Sequence, residues 1–395
     1  MVVLRKKLHL MRKFLKDSGW FITPTLFAFI SLCGLVKQFW WFKMDRQFGD
    51  LIGVTAAVQC VSDNPSWTLA DSTCDPFGRP FNNSTILIKL LSTLGVRFAH
   101  TNSIGYGFTF GLISICIFLT YKIRNTLLAN HILHFVWIIL WNSPSMFLLS
   151  ERGNIDSFVA LLVILFIVQS RPSLYSLILV LFASLVKFYP LILGFAIIIS
   201  RTITLFRKIV VAFAFCVFSL MVYKELGLVY RHTVQVGDFS FGVRQPFLFF
   251  QDLLNSDWLP PKIQYSAPIM FLGFTISICW ILQNTKKGKL LLKESLPLDV
   301  DSASFRAGLL FLGIFIVGNS YDYRLIFFVI FIGALIHDGQ VTKRDVSMYF
   351  ALGISNLLGF LNFPVNFLFD FFLYSYLAFW LAKIVLLNKY FRNVK

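Results

Sequence analysis

Charge is scarce in this chain, and acid is scarcer than base. Of 395 residues only 14% are charged, and Asp plus Glu number 19 against 36 Lys plus Arg. Soluble chains average about 25% charged residues. A water-soluble domain this poor in charge would expose the large apolar patches that soluble monomers avoid. Metal chemistry has little to work with, since the six Cys and six His form no Cys-x-x-Cys pair and no His cluster; neither metal nor cofactor is expected. Strict apolar/polar alternation is also missing, which excludes a β-barrel built from roughly ten-residue alternating strands. No small-residue cleavage site follows the first apolar stretch, so that stretch reads as a retained anchor rather than a secretory signal.

Apolar surface is what the chain has in plenty. It is 57% hydrophobic and 17% aromatic, with 46 Phe, and its mean hydropathy is +0.73. Continuous runs such as Phe21 to Val36 and Val346 to Leu361 predict an all-α polytopic membrane protein. About twelve transmembrane helices are expected, at roughly 20–36, 104–121, 125–149, 155–169, 173–186, 189–200, 209–223, 266–283, 306–318, 325–337, 346–361 and 365–387. Several fall short of the ~20 residues that a lipid-facing helix needs, and the fifth and sixth read as a broken pair.

The net charge of +17 follows topology rather than a nucleic-acid partner. Arg5, Lys6, Lys7, Arg12, Lys13 and Lys16 precede the first span and hold the N-terminus in the cytoplasm. With that orientation most Lys and Arg fall inside and most acids outside, giving N-in and C-in. Residues 1–395 read as one membrane-embedded unit with a cytoplasmic tail over 1–19 and two long outside segments, 37–103 and 224–265. Long loops on a compact scaffold are often functional. Within the first, Ile86 to Leu94 reads either as an interfacial helix or as a partly buried loop helix. Cys60 and Cys74 share that loop, where an oxidising compartment permits a disulfide.

Ionisable groups at membrane depth are costly and usually functional. Four polar clusters gather at the outer ends of spans. Glu151-Arg152-Gly153-Asn154-Ile155-Asp156 opens the fourth span, where free backbone N–H groups favour anions. Its members are candidates to hold a sugar or acceptor, and the plainer reading is a capped helix with a local Glu151–Arg152 pair. Lys187-Phe188-Tyr189-Pro190 places one cation beside a helix-breaking proline, either at a break lining a cavity or in a turn where the Lys snorkels to water. Arg244 lies among aromatics and Gly242 in the second loop. Asp322-Tyr323-Arg324 follows the ninth span, where Asp322 and Arg324 can pair locally and Arg is a good phosphate ligand. Asp45 and Asp50 follow the first span closely enough to overhang it. A carboxylate there is placed to act as general base for a hydroxyl attacking an activated sugar, with the outer Lys and Arg offsetting charge on a phosphate leaving group.

An Asp soon after the first span, Gly153-Asn154 at the start of a middle span and Lys187-x-x-Pro190 some thirty residues on resemble the GT-C superfamily of glycosyltransferases. The likeness is to the bacterial polyprenyl-phosphate-mannose-dependent alpha-mannosyltransferases, and Tyr323-Arg324 shares it. The resemblance implies inverting transfer of a sugar, mannose by default, from a polyprenyl-phosphate donor to a lipid or glycan acceptor, at the outer face of the bacterial cytoplasmic membrane. It implies a catalytic Asp shortly before a small-residue pair. Asp50, with Ala56 and Ala57 after it, matches better than Asp45, the reserve; Leu51 to Thr55 stand where the family often has aromatics. Lys187, Arg244 and Arg324 would then bind the donor phosphate, and Glu151, Arg152, Asn154, Asp156, Tyr189, Asp322 and Tyr323 the sugar or acceptor. Two rivals share the architecture: a flippase for lipid-linked sugars, and a membrane oligosaccharide polymerase.

Overall fold

The computed structural model describes residues 18–35, 47–64, 74–76, 78, 84–169, 172–232, 240–241, 263–294, 299–317, 320–359 and 363–392. Its regular elements are α-helices, short 3-10 turns and one antiparallel pairing of two residues on each strand. Among the described residues, five helical stretches are long and apolar enough to cross a membrane: Phe98–Ala129, His131–Glu151, Leu205–Glu225, Ser266–Asn284 and Phe369–Leu386. Six more apolar helices are shorter.

The helices that position the site are α1 (Ile22–Leu35), α2 (Gly49–Asp63), α3 (Thr85–Thr93), α4 (Thr101–Ala129), α5 (His131–Trp141), α6 (Pro144–Glu151), α7 (Asp156–Ile167) and α8 (Leu174–Val186). Their limits follow local chemistry. Asn130 caps α5 through its Oδ1, 3.1 Å from the Leu133 N–H. Pro144 opens α6, where its missing N–H costs nothing, so α5 and α6 meet at a break. Ser173 and Ser176 form a reciprocal cap on α8. After α8, Lys187 and Phe188 interrupt the helix before a 3-10 turn over Tyr189–Ile192 and α9 (Leu193–Ile199). Pro190 sits in that first turn.

Beyond these lie α10 (Leu205–His232), α11 (Ile263–Asn284), α12 (Lys286–Glu294), α13 (Ala303–Val317), α14 (Ile326–His337), α15 (Lys343–Gly359) and α16 (Phe363–Arg392). On α14 every residue from Ile326 to Ile336 is buried, as expected of a helix apolar on all faces. It is the axis of a core that packs α4 to α8 against α13, α15 and α16. By contrast α10 and α11 turn Phe206, Phe213, Leu220, Ile269 and Ile276 outward, a surface suited to lipid rather than water.

In the first long loop, α3 buries Leu87 and Ile88 while Leu90 and Leu94 stay exposed. It packs on α2, where the Ser62 and Ser92 hydroxyls meet at 2.7 Å. A disulfide joins Cys60 to Cys74, with Cα atoms 6.1 Å apart. The strand pairing sets Ser240 opposite Tyr321 and Phe241 opposite Ser320. It fixes part of the second long loop to the segment just ahead of Arg324.

Candidate functional site

Five elements converge on one polar cluster. The N-terminus of α2 docks on the turn after α6, where the Phe48 N–H donates to the Glu151 carbonyl at 2.8 Å and the Asp50 N–H to the Arg152 carbonyl at 3.1 Å. Phe48 takes a left-handed backbone, φ 59°, a strained choice for a residue with a Cβ. Its ring is wholly buried and fits only because two glycines face it. A Cβ at Gly105 would stand 2.5 Å from the ring, and one at Gly153 2.8 Å.

This docking brings Asp50 to the cluster. Its Oδ1 is 2.5 Å from Arg152 Nη2, and its Oδ2 accepts from Asn154 Nδ2 at 2.6 Å. Asn154 Oδ1 in turn accepts the Asp156 N–H, the first of α7, at 2.9 Å. Asp156, 0% exposed, accepts from the Tyr189 hydroxyl at 2.8 Å on Oδ1 and pairs with Arg324 Nε at 3.2 Å on Oδ2. The Arg324 guanidinium also lies 5.4 Å from the centre of the Tyr189 ring.

Lys187 occupies the break after α8 and is 8% exposed. Its charged neighbours are Asp156, Arg324 and Asp50, yet among the described residues no atom makes a hydrogen bond or ion pair with its Nζ. Glu151 is similarly buried, and its Oε2 has no hydrogen-bond partner among the described residues. The cluster therefore sets three cations, Arg152, Lys187 and Arg324, among three carboxylates, Asp50, Glu151 and Asp156, and the Lys187 ammonium makes no hydrogen bond or ion pair with a described residue. Such a site can accept an anion and keep a carboxylate beside it.

Asp50, Glu151, Arg152, Asn154, Asp156, Lys187, Tyr189 and Arg324 thus stand together. Asp45 and Arg244 lie outside the described residues, as do the side chains of Asp322 and Tyr323; the backbone of these two forms a 3-10 turn, Asp322–Leu325, leading into α14. One local pairing is replaced by a distant one: Arg152 turns to Asp50 rather than to Glu151, and Arg324 reaches Asp156 across the fold. The sequence reading passed over Phe48 and Gly105 and took Gly153 only as a member of its polar cluster and of the Gly153-Asn154 motif; the three hold Asp50 in place. The left-handed φ of 57° at Gly153 is the one feature that a Gly inside a polar cluster could have signalled. Among the described residues, no group of three His, Cys, Asp or Glu side chains is arranged to hold a metal.

No protein-family model, curated protein or solved structure matches this chain.

Proposed function

We propose that the protein is a membrane glycosyltransferase. It moves a sugar, mannose by default, from a polyprenyl-phosphate donor to a lipid or glycan acceptor at the extracytoplasmic face. In this reading about twelve spans run N-in and C-in, and the polar cluster faces outward. The observation that carries the proposal is the buried ammonium of Lys187, without a hydrogen-bonding partner among the described residues, beside the Asp50–Arg152 and Asp156–Arg324 pairs.

The chemistry follows from those groups. A phosphate entering the cluster finds Lys187 available and two guanidiniums close by. Asp50 accepts the proton of the acceptor hydroxyl as that oxygen attacks the anomeric carbon. The bond from the anomeric carbon to the phosphate oxygen breaks, and the departing polyprenyl phosphate takes the electron pair, its charge offset by Lys187 and Arg324. One displacement inverts the anomeric centre.

Transfer in proteoliposomes tests the proposal, using radiolabelled polyprenyl-phosphate sugars and a lipid extract of the host. Label reaching an acceptor with wild type, but not with Asp50→Asn or Lys187→Ala, is the expected result. Donor crossing the bilayer with no transfer would replace the enzyme by a flippase.

A further inference from the structure

Helix α12 begins where a membrane-crossing stretch stops. The apolar run of α11 ends at Asn284, and one residue, Thr285, separates it from Lys286, the first of α12. The chain does not continue along the same axis. Gly288 lets α12 fold back on the last turn of α11, since a Cβ there would stand 2.5 Å from Leu282 Cα and 2.7 Å from the Ile281 and Leu282 carbonyl oxygens. Thr285 fastens the corner: its Oγ1 donates to the Ile281 carbonyl at 2.9 Å and accepts the Gly288 N–H at 2.9 Å. Leu291 and Leu292 then pack on Leu282 of α11 and on Ala382 and Leu386 of α16.

The opposite face of α12 is basic. Lys286, Lys287 and Lys289 are exposed, and among the described residues none of their ammoniums is in an ion pair. Leu290 stands out with them, 54% exposed. These cations crowd the end of the helix where its own dipole is positive, and the first turn holds no acid. The protein thus keeps like charges together at an unfavourable place, and an anionic layer outside it would offset both costs. Position decides what that layer is. Trp280 and Ile281 are exposed near the end of α11, and a Trp at the end of a span marks the level of the lipid headgroups. The fold-back at Gly288 holds α12 at that same level.

We propose that α12 is an interfacial helix that docks on phospholipids of net negative charge. The ammoniums of Lys286, Lys287 and Lys289 meet headgroup phosphates, and Leu290 dips among the first methylenes of the acyl chains. Choline and ethanolamine lipids also carry a phosphate, but each offsets it with a cation of its own. Net charge therefore selects a headgroup such as that of phosphatidylglycerol. A soluble polyanion fits the lysines but leaves Leu290 in water. The inference does not depend on what the polar cluster catalyses.

Native mass spectrometry of the full chain in detergent reads the docking directly, after equilibration with phosphatidylglycerol or phosphatidylcholine of identical acyl chains. One lysine near an anionic lipid surface is worth about fivefold in binding, so wild type should retain the glycerol lipid over the choline lipid by about that factor or more. Lys286→Gln, Lys287→Gln and Lys289→Gln combined change only exposed side chains. They should lower the ratio by about fivefold or more and leave the melting temperature at or above that of wild type. Arg5→Gln, Lys6→Gln and Lys7→Gln combined make the same change in net charge on another segment and should leave most of the preference. Leu290→Ser should weaken retention of phosphatidylglycerol; unchanged retention would assign the face to a soluble polyanion and overturn the inference. A wild-type ratio near one overturns it too, as does a preference that survives the α12 changes or falls equally with those at the N-terminus.

Discussion

Asp156 and Arg324 lie 168 positions apart in sequence, and their side chains meet at 3.2 Å. The contact joins the first residue of α7 to the turn that leads into the most buried helix of the bundle. It also closes one side of the space into which Lys187 projects. Asp156→Ala would remove the carboxylate that Arg324 Nε and the Tyr189 hydroxyl both engage, and breaking a buried pair from one side costs about 3–5 kcal/mol. Asp156→Asn combined with Arg324→Gln should cost less than the sum of the two single changes. Thermal unfolding in detergent, arranged as a double-mutant cycle, gives the coupling; strict additivity would mean that the pair is not acting as a unit.

Lys187→Met separates function from stability. Burying the Lys187 ammonium costs desolvation that no described hydrogen bond offsets. The variant should melt at the wild-type temperature or above it while losing transfer. A lower melting temperature would show that Lys187 holds the fold together.

Asp50→Asn keeps the contact with Arg152 through its amide oxygen but turns an NH2 toward the Asn154 Nδ2 donor, so the Asn154 contact is lost. A general base contributes about 10²–10⁴ in rate, and transfer should fall by that order with the chain still folded and its melting temperature only modestly lowered. Residual activity near the wild-type level would move the base elsewhere, with Asp45 the first residue to examine.

Gly153→Ala meets two obstacles, a left-handed backbone and the Phe48 ring 2.8 Å from the new methyl. The backbone alone costs about 1–2 kcal/mol. Melting temperature and transfer should both drop, and Phe48→Leu in the same chain should restore part of the stability by yielding space. Failure of the second change to help would place the strain in the backbone alone.

The Cys60–Cys74 bridge closes a short loop, 14 positions apart. Cross-linking a loop of that size restricts the unfolded chain by about 3 kcal/mol. A reductant should therefore lower the melting temperature of wild type and leave a Cys60→Ser, Cys74→Ser double variant unmoved.

Much of the cluster was legible because a lone Lys187 or an acidic-basic run at 151–156 stands out in apolar sequence. Which charge pairs with which was not legible. A sequence displays neighbours, so Glu151 with Arg152 was the visible pair, whereas the docking of α2 on the turn after α6 gives Arg152 its carboxylate in Asp50 and the meeting of the starts of α7 and α14 sets Arg324 against Asp156. Phe48 left no signal, because a left-handed aromatic is favourable only once Gly105 and Gly153 face it.

The shortness of α7 and α14 has a bearing on the bilayer. Each has twelve residues, so each reaches about 18 Å where the hydrocarbon layer of a bilayer measures about 30 Å. Because protein encloses α14 from Ile326 to Ile336, its short reach leaves room for water rather than lipid tails above Asp156 and Arg324. A lipid carrying a reactive head would then not need to rise out of its leaflet to meet these residues. The protein would lower the membrane surface to the lipid.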